Sequence, residues 1–182
     1  MVPPAIAAVI VLALVLAQLA WQHAHGGVVT HHLLARDELP GVSNWWNVLL
    51  LPALTYVALT RVQRRAMKTE DVQIQRRTRH LALRNGLFAL AFGGTLALAF
   101  EFGTDAVTFP VFLAILASAV LFPVARVECA LGLLLGMAWT FGATIPLVIV
   151  TVLAVVSAVV HQIVRPTLVH AWRRMRGTPP QR

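Results

Sequence analysis

The segment PPAIAAVIVLALVLAQLAW, residues 3–21, is rich in Ala, Val and Leu and has no charged side chain. At a helical rise of about 1.5 Å per residue, a run of this length nearly crosses the hydrocarbon core of a bilayer, which is about 30 Å thick. No Lys or Arg precedes it, whereas a secretory signal peptide begins with a basic region. We therefore predict a true transmembrane helix.

The rest of the chain continues this pattern. Apolar residues make up 58% of the 182 residues and charged residues only 12%, about half the charged fraction of an average soluble domain. Long apolar runs predict an all-α, polytopic transmembrane helical bundle. We assign residues 1–165 to a transmembrane domain and residues 166–182 to a basic tail; the six predicted spans are about 3–21, 45–60, 85–102, 107–125, 127–141 and 144–164.

Two of these spans are short. Residues 45–60 and 127–141 fall below the roughly 17 residues that a helix needs to cross a bilayer, so we expect local thinning or burial among neighbouring helices. The second contains GLLLG, residues 132–136, and glycines spaced in this way let two helix backbones approach closely. We expect this element to pack inside the chain rather than between two copies, and the sequence leaves the oligomeric state open.

The basic residues predict the orientation. Residues 61–84, called the basic segment below, hold eight of the 15 Lys and Arg residues; Arg126 and the residues after Val164 hold six more. If the chain has six spans, these three regions lie on the same side of the membrane. The positive-inside rule then puts both termini in the cytoplasm. The predicted location is a cell membrane, which in a bacterium is the inner membrane. This placement explains the net charge of +8 without nucleic-acid binding.

The basic segment itself is expected to be a solvated connector that continues the flanking spans as helices into the cytoplasm. It is also a surface for anionic lipid headgroups, which attract Lys and Arg by about 1 kcal/mol each. Glu128 lies near Arg126 at the same side of the predicted bundle. An ionisable group at the end of a membrane helix usually pairs or reaches the interface, and we expect Glu128 to do so.

Four of the seven histidines fall within HAHGGVVTHH, residues 23–32, on the predicted extracytoplasmic side. The following VVTHHLLARDEL, residues 28–39, is predicted to form a short interfacial helix that ends at Pro40 and Gly41. Asn44, Trp45 and Trp46 then begin the second span, where an aromatic belt belongs. We expect these three residues to shape the approach of a substrate.

The histidines and nearby carboxylates form the predicted site. Neutral imidazole is the commonest metal ligand of proteins, and a transition metal such as Zn or Fe suits a mixed imidazole and carboxylate set; the predicted ligands are His23, His25, His31 and His32. The predicted catalytic groups are His31, His32, Asp37, Glu101 and Asp105. No HExxH motif is present. The alternative is that these histidines form no site and are simply compatible with the headgroup region.

Three functions are compatible with this pattern. The favoured one is an enzyme, by acid–base or metal-assisted chemistry, that acts on a membrane lipid or another amphiphile at the outer interface. The first alternative is a small transporter or substrate-binding membrane subunit for a cation or small solute. The second is an accessory subunit of a membrane complex. Cys129 is the only cysteine, which excludes an internal disulfide and paired-thiol redox chemistry.

Overall fold

A computed structural model describes residues 2–28, 30–32, 41–103, 109–111, 113–114, 116–117 and 126–175 of the chain. Within these ranges the protein is helical, apart from one ribbon of two very short strands. Three of the described helical segments are long and apolar enough to cross a membrane: Pro4–Ala24, Val72–Phe102 and Thr144–His170. The helical class and its compatibility with a membrane are thus confirmed, while the count of six spans and the position of the termini stay predictions.

The described elements follow one another along the chain. They are α1 (Pro4–Ala24), β1 (Thr30–His32), β2 (Gly41–Ser43), a 3-10 turn (Asn44–Trp46), α2 (Asn47–Ala66), α3 (Val72–Phe102), α4 (Val127–Phe141), α5 (Thr144–Val159), a π-helical turn (Val160–Val164) and α6 (Arg165–Met175). The described residues of the predicted fourth span, within 109–117, are also helical.

The basic segment is helical on both sides of a short turn, as predicted. Helix α2 continues to Ala66, and α3 begins at Val72. The side chain of Asp71 starts α3 by accepting hydrogen bonds from the backbone N–H groups of Gln73 and Ile74, at 2.7 and 3.3 Å. This cap satisfies donors that have no partner within the helix. Helices α2 and α3 thus extend beyond the apolar spans predicted at 45–60 and 85–102.

Helix α4, the shortest apolar helix, lies at the centre of the described bundle. Its Leu134 and Ala138 pack in one cluster with Val15, Leu19 and Leu51 of α1 and α2. Its Leu133 and Met137 pack in a second cluster with Leu96, Val150 and Leu153 of α3 and α5. The structure therefore buries this short span among neighbouring helices, which is one of the two outcomes expected for it.

Glycines bring α3 and α4 into backbone contact. A Cβ atom on Gly93 would lie only 2.7 Å from the carbonyl oxygen of Leu133, and one on Gly132 would collide with the carbonyl oxygen of Gly86. Gly136 meets the backbone of α3 in the same way at Leu90. The GLLLG element therefore packs inside the chain, as predicted, because no side chain fits between the two helices.

The prediction of a helix over residues 28–39 is wrong where it can be compared. Thr30–His32 form strand β1 and pair antiparallel with β2, in the register Thr30↔Ser43, His31↔Val42 and His32↔Gly41; residues 33–40 lie outside the described ranges. The local composition favours extended chain, since β-branched residues precede the histidines. The partner strand, however, lies beyond Pro40. Local periodicity therefore cannot predict that the two segments pair.

Candidate functional site

Buried amide side chains gather at the end of the bundle that lies opposite the basic segment. Asn44 and Asn47 are 2% and 1% exposed, and Gln18 is 8% exposed. With the half-buried Gln22 they form what we call the amide cluster. Its residues come from the last turns of α1, the 3-10 turn and the first turn of α2, so the cluster lies where the chain re-enters the bundle.

Three hydrogen bonds of the amide cluster join elements that are distant in sequence. Gln18 Nε2 donates to the carbonyl oxygen of Trp139 in α4 at 3.2 Å. Asn44 Nδ2 donates to Gln22 Oε1 at 3.3 Å, and Asn47 Oδ1 accepts from the backbone N–H of Ala143 at 2.9 Å. Buried polar groups need such partners because water is excluded. The amides thus hold α1 and α2 against the connection between α4 and α5.

One atom of the cluster is not satisfied. Asn47 Nδ2 is buried and has no hydrogen-bond acceptor among the residues that the structure describes. A buried donor without a partner costs about 1–3 kcal/mol. Asn47 also lines a cleft with Ser43, Asn44 and residues 141–145, and this cleft is too narrow for a water molecule. Among the described residues, the cluster therefore holds one buried N–H donor that has no acceptor.

Of the predicted metal ligands, His23 and His25 are exposed at the end of α1. The His25 ring stacks on Trp21 with ring centroids 3.9 Å apart, and its Nδ1 lies 2.9 Å from the carbonyl oxygen of Trp21. Because a carbonyl oxygen only accepts, Nδ1 carries the proton of that hydrogen bond. Neutral His25 accordingly has only Nε2 available as a ligand or base.

His31 and His32, predicted as ligands and catalytic groups, are placed by their backbone alone. They lie in β1 opposite Val42 and Gly41, and paired Cα atoms of antiparallel strands are about 4.5–5.5 Å apart. Strand β2 ends at Ser43, and Asn44 of the amide cluster follows directly. The backbone of both histidines is therefore close to the amide cluster in space, although more than ten residues separate the histidines from Asn44 along the chain.

The carboxylates are only partly described. Glu101 is exposed in the last turn of α3; the neighbouring Phe100 contacts the ring of Phe141, which lines the cleft, with centroids 4.8 Å apart. Asp37 and Asp105 lie outside the described ranges. Within those ranges no group of three or more His, Cys, Asp or Glu residues could hold a metal ion. The predicted metal site and its Zn or Fe stay predictions.

Tryptophans surround this end of the bundle. Trp45 and Trp46 of the 3-10 turn are exposed, as are Trp21 and Trp139 near the ends of α1 and α4. Indole rings favour the boundary between headgroups and hydrocarbon. This arrangement is compatible with an aromatic belt at this end of the bundle.

Sequence reasoning found Asn44 and missed the other three amides. Gln18 belongs to the first predicted span, residues 3–21, Gln22 to the connection that follows it, and Asn47 to the second predicted span, residues 45–60. The available signal was that amides interrupt runs of apolar residues, since a polar group inside a membrane helix usually faces the bundle. Scans against protein-family models and searches of curated proteins and solved structures find no match to the chain.

Proposed function

We propose that this chain is an integral-membrane enzyme that acts on a lipid or another amphiphile at the extracytoplasmic end of the bundle. The observation that carries the proposal is the buried Nδ2 of Asn47, which has no acceptor among the described residues. A donor held in a dry setting binds an oxygen atom more strongly than one in water does. A carbonyl or phosphoryl oxygen in the polar part of an amphiphile supplies such an acceptor.

Binding requires the cleft to widen, because it does not admit even a water molecule. The connection between α4 and α5 forms one wall, and Gly142 there has a φ of 68°, a conformation that glycine adopts without strain. We assign the opening movement to this connection. The exposed Trp45 and Trp46 supply the apolar approach for the rest of the substrate.

The chemistry belongs to the histidines of β1. His31 or His32 acts as the general base, since imidazole titrates near neutral pH without large perturbation. Asp37, Glu101 and Asp105 are the proposed carboxylate partners. In the metal-assisted alternative, a transition metal such as Zn or Fe held by His23, His25, His31 and His32 would supply an activated water or a Lewis acid in place of that base.

A substrate-binding membrane subunit without chemistry is the second candidate. It is favoured by the composition of the amide cluster, because amide side chains bind ligands but do not transfer protons near neutral pH. The same Nδ2 would then hold the polar group of a solute or lipid and pass it to a partner protein.

The test compares two buried polar positions of α2. Asn47→Leu removes the proposed donor together with the acceptor of the Ala143 N–H, whereas Thr55→Val removes a hydroxyl that donates to the backbone carbonyl of Leu51 in its own helix. We expect purified Thr55→Val to convert phospholipid or lysolipid test substrates like the natural protein, and Asn47→Leu and His31→Gln to lose at least tenfold in turnover. Binding of these substrates without turnover in the natural protein supports the second candidate. Absence of both contradicts both proposals.

A further inference from the structure

An apolar groove lies between α2, α3 and α4, at the end of the bundle near the basic segment. Its volume is about 140 Å³, and six leucines line it: Leu59, Leu83, Leu87, Leu90, Leu131 and Leu135. We call it the leucine groove. Leu83 and Leu87 are more than half exposed, so among the described residues the groove opens on the outer surface of the bundle.

The groove is large enough for a short hydrocarbon chain. Its lining on α3 runs from Ala82 to Leu90, which corresponds to about 12 Å along the helix axis. An engineered apolar cavity of about 150 Å³ binds benzene, so a groove of 140 Å³ takes a segment of about six carbon atoms. The groove runs parallel to the helices, as an acyl chain does in a bilayer.

A partly buried ion pair lies at the end of the groove nearest the basic segment. Glu128 lines the groove and is 6% exposed, and Arg65 Nη1 lies 3.1 and 3.4 Å from its two carboxylate oxygens. Glu128 thus pairs with a basic residue, as expected, although the partner comes from α2 and not from the adjacent Arg126. The Arg65 side chain remains 41% exposed and so reaches from the groove to the surface.

Further arginines surround this end. Arg61, Arg84 and Arg126 are exposed and lie within one or two residues of the lining residues Val62, Leu83 and Glu128. Together with Arg65 they set four positive charges against the single carboxylate of Glu128. The mouth of the groove is therefore apolar along its length and positively charged at its end.

We infer that the leucine groove binds one acyl chain of an anionic phospholipid from the leaflet next to the basic segment, with the headgroup on Arg61, Arg84 and Arg126. The anionic head matches the arginines, each of which attracts such lipids by about 1 kcal/mol, and the chain matches the leucines. A second copy of this protein is the poorer occupant, because the chain has 15 Lys and Arg against seven Asp and Glu. Two basic ends repel each other.

The experiment reconstitutes the full chain in vesicles of phosphatidylethanolamine and phosphatidylglycerol at 3:1 and extracts it in mild detergent. Native mass spectrometry then counts the lipids retained per chain. We expect one phosphatidylglycerol per chain, retained in preference to phosphatidylethanolamine. Leu87→Trp, which fills the groove mouth, should lower retention about tenfold, whereas Leu98→Trp should not; Leu87 and Leu98 are both exposed on α3, at 56% and 61%.

A second variant keeps the inference testable if Leu87→Trp does not fold. Arg84→Gln removes one exposed charge and should lower the preference for phosphatidylglycerol about fivefold, which is the factor for roughly 1 kcal/mol per arginine. Equal retention in Leu87→Trp and Leu98→Trp overturns the inference, and so does an unchanged lipid preference in Arg84→Gln. A change of oligomeric mass in Leu87→Trp at unchanged lipid retention assigns the groove to a contact between copies instead.

Discussion

Asn47 Oδ1 accepts a hydrogen bond from the backbone N–H of Ala143 at 2.9 Å, and this bond joins the first turn of α2 to the connection between α4 and α5. Both residues are buried, at 1% and 0% exposure. One half of a single amide therefore supports the fold, while the other half, Nδ2, has no acceptor among the described residues. Replacing Asn47 by leucine therefore removes both the bond that supports the fold and the donor proposed for binding.

The first prediction concerns the stabilising half. Asn47→Leu leaves the N–H of Ala143 buried without an acceptor, which should lower the free energy of unfolding by about 1–3 kcal/mol. Thr55→Val should cost less, because the Thr55 hydroxyl bonds a carbonyl of its own helix at 2.7 Å that the helix ladder already uses. Denaturation in detergent, followed by circular dichroism, measures both. Equal losses would contradict a structural role for the bond to Ala143.

The second prediction uses two adjacent glycines of α3. Gly93→Ala should destabilise the protein by about 1–3 kcal/mol through overpacking, because its Cβ would lie 2.7 Å from the carbonyl oxygen of Leu133. Gly94→Ala should be neutral or stabilising, since the nearest atom, the carbonyl oxygen of Gly136, is 4.0 Å away and alanine favours helix over glycine. Thermal denaturation of the two variants checks the difference. The same loss in both would contradict direct backbone contact at Gly93.

The third prediction concerns the ion pair of Arg65 and Glu128. Arg65→Met leaves a buried carboxylate without its partner, and we expect a loss of about 1–3 kcal/mol in the free energy of unfolding, because the arginine itself is half exposed. The double variant Arg65→Met with Glu128→Leu should recover most of that loss. A double-mutant cycle measures the coupling energy. Additive effects of the two single variants would show that the pair does not stabilise the bundle.

The fourth prediction concerns orientation in the membrane. The basic segment should face the cytoplasm, and the end of α1 should face outward. On a Cys129→Ser background, an impermeant thiol reagent added to whole cells should label Ala24→Cys but should label Glu70→Cys only after permeabilisation. Labelling of Glu70→Cys from outside would reverse the orientation and move the proposed substrate site to the cytoplasmic face.

The fifth prediction concerns the histidines and carboxylates near the amide cluster. His31→Gln and Glu101→Gln should abolish turnover or ligand retention while the thermal stability of the detergent-solubilised protein stays unchanged. His25→Gln should lower turnover or ligand retention only if Nε2 of His25 is a metal ligand, because Nδ1 of His25 is hydrogen-bonded to the carbonyl oxygen of Trp21. Metal analysis of each purified variant separates acid–base from metal-assisted chemistry. If all three variants keep the turnover and ligand retention of the unmodified protein, these residues have no part in the site and are only compatible with the headgroup region.

Local properties of the sequence determined the class of this protein. Long uncharged runs predict membrane-type helices, and the expectation that the basic segment extends the flanking helices agrees with α2 ending at Ala66 and α3 beginning at Val72. The GLLLG element predicted close packing inside the chain, which Gly93 and Gly132 confirm. Each of these features depends on neighbours within a few turns of helix, and such neighbours are visible along the chain.

Only the tertiary structure decided the groups that meet across the chain. The strand at Thr30–His32 exists because a segment beyond Pro40 returns to pair with it. Asn47 meets Ala143 across 96 positions, and Arg65 meets Glu128 across 63. Apolar periodicity states which face of a helix is buried but not which helix covers it. In an apolar surrounding each buried polar group must find a partner, and the packing of α4 among α1, α2, α3 and α5 determines which partners are within reach.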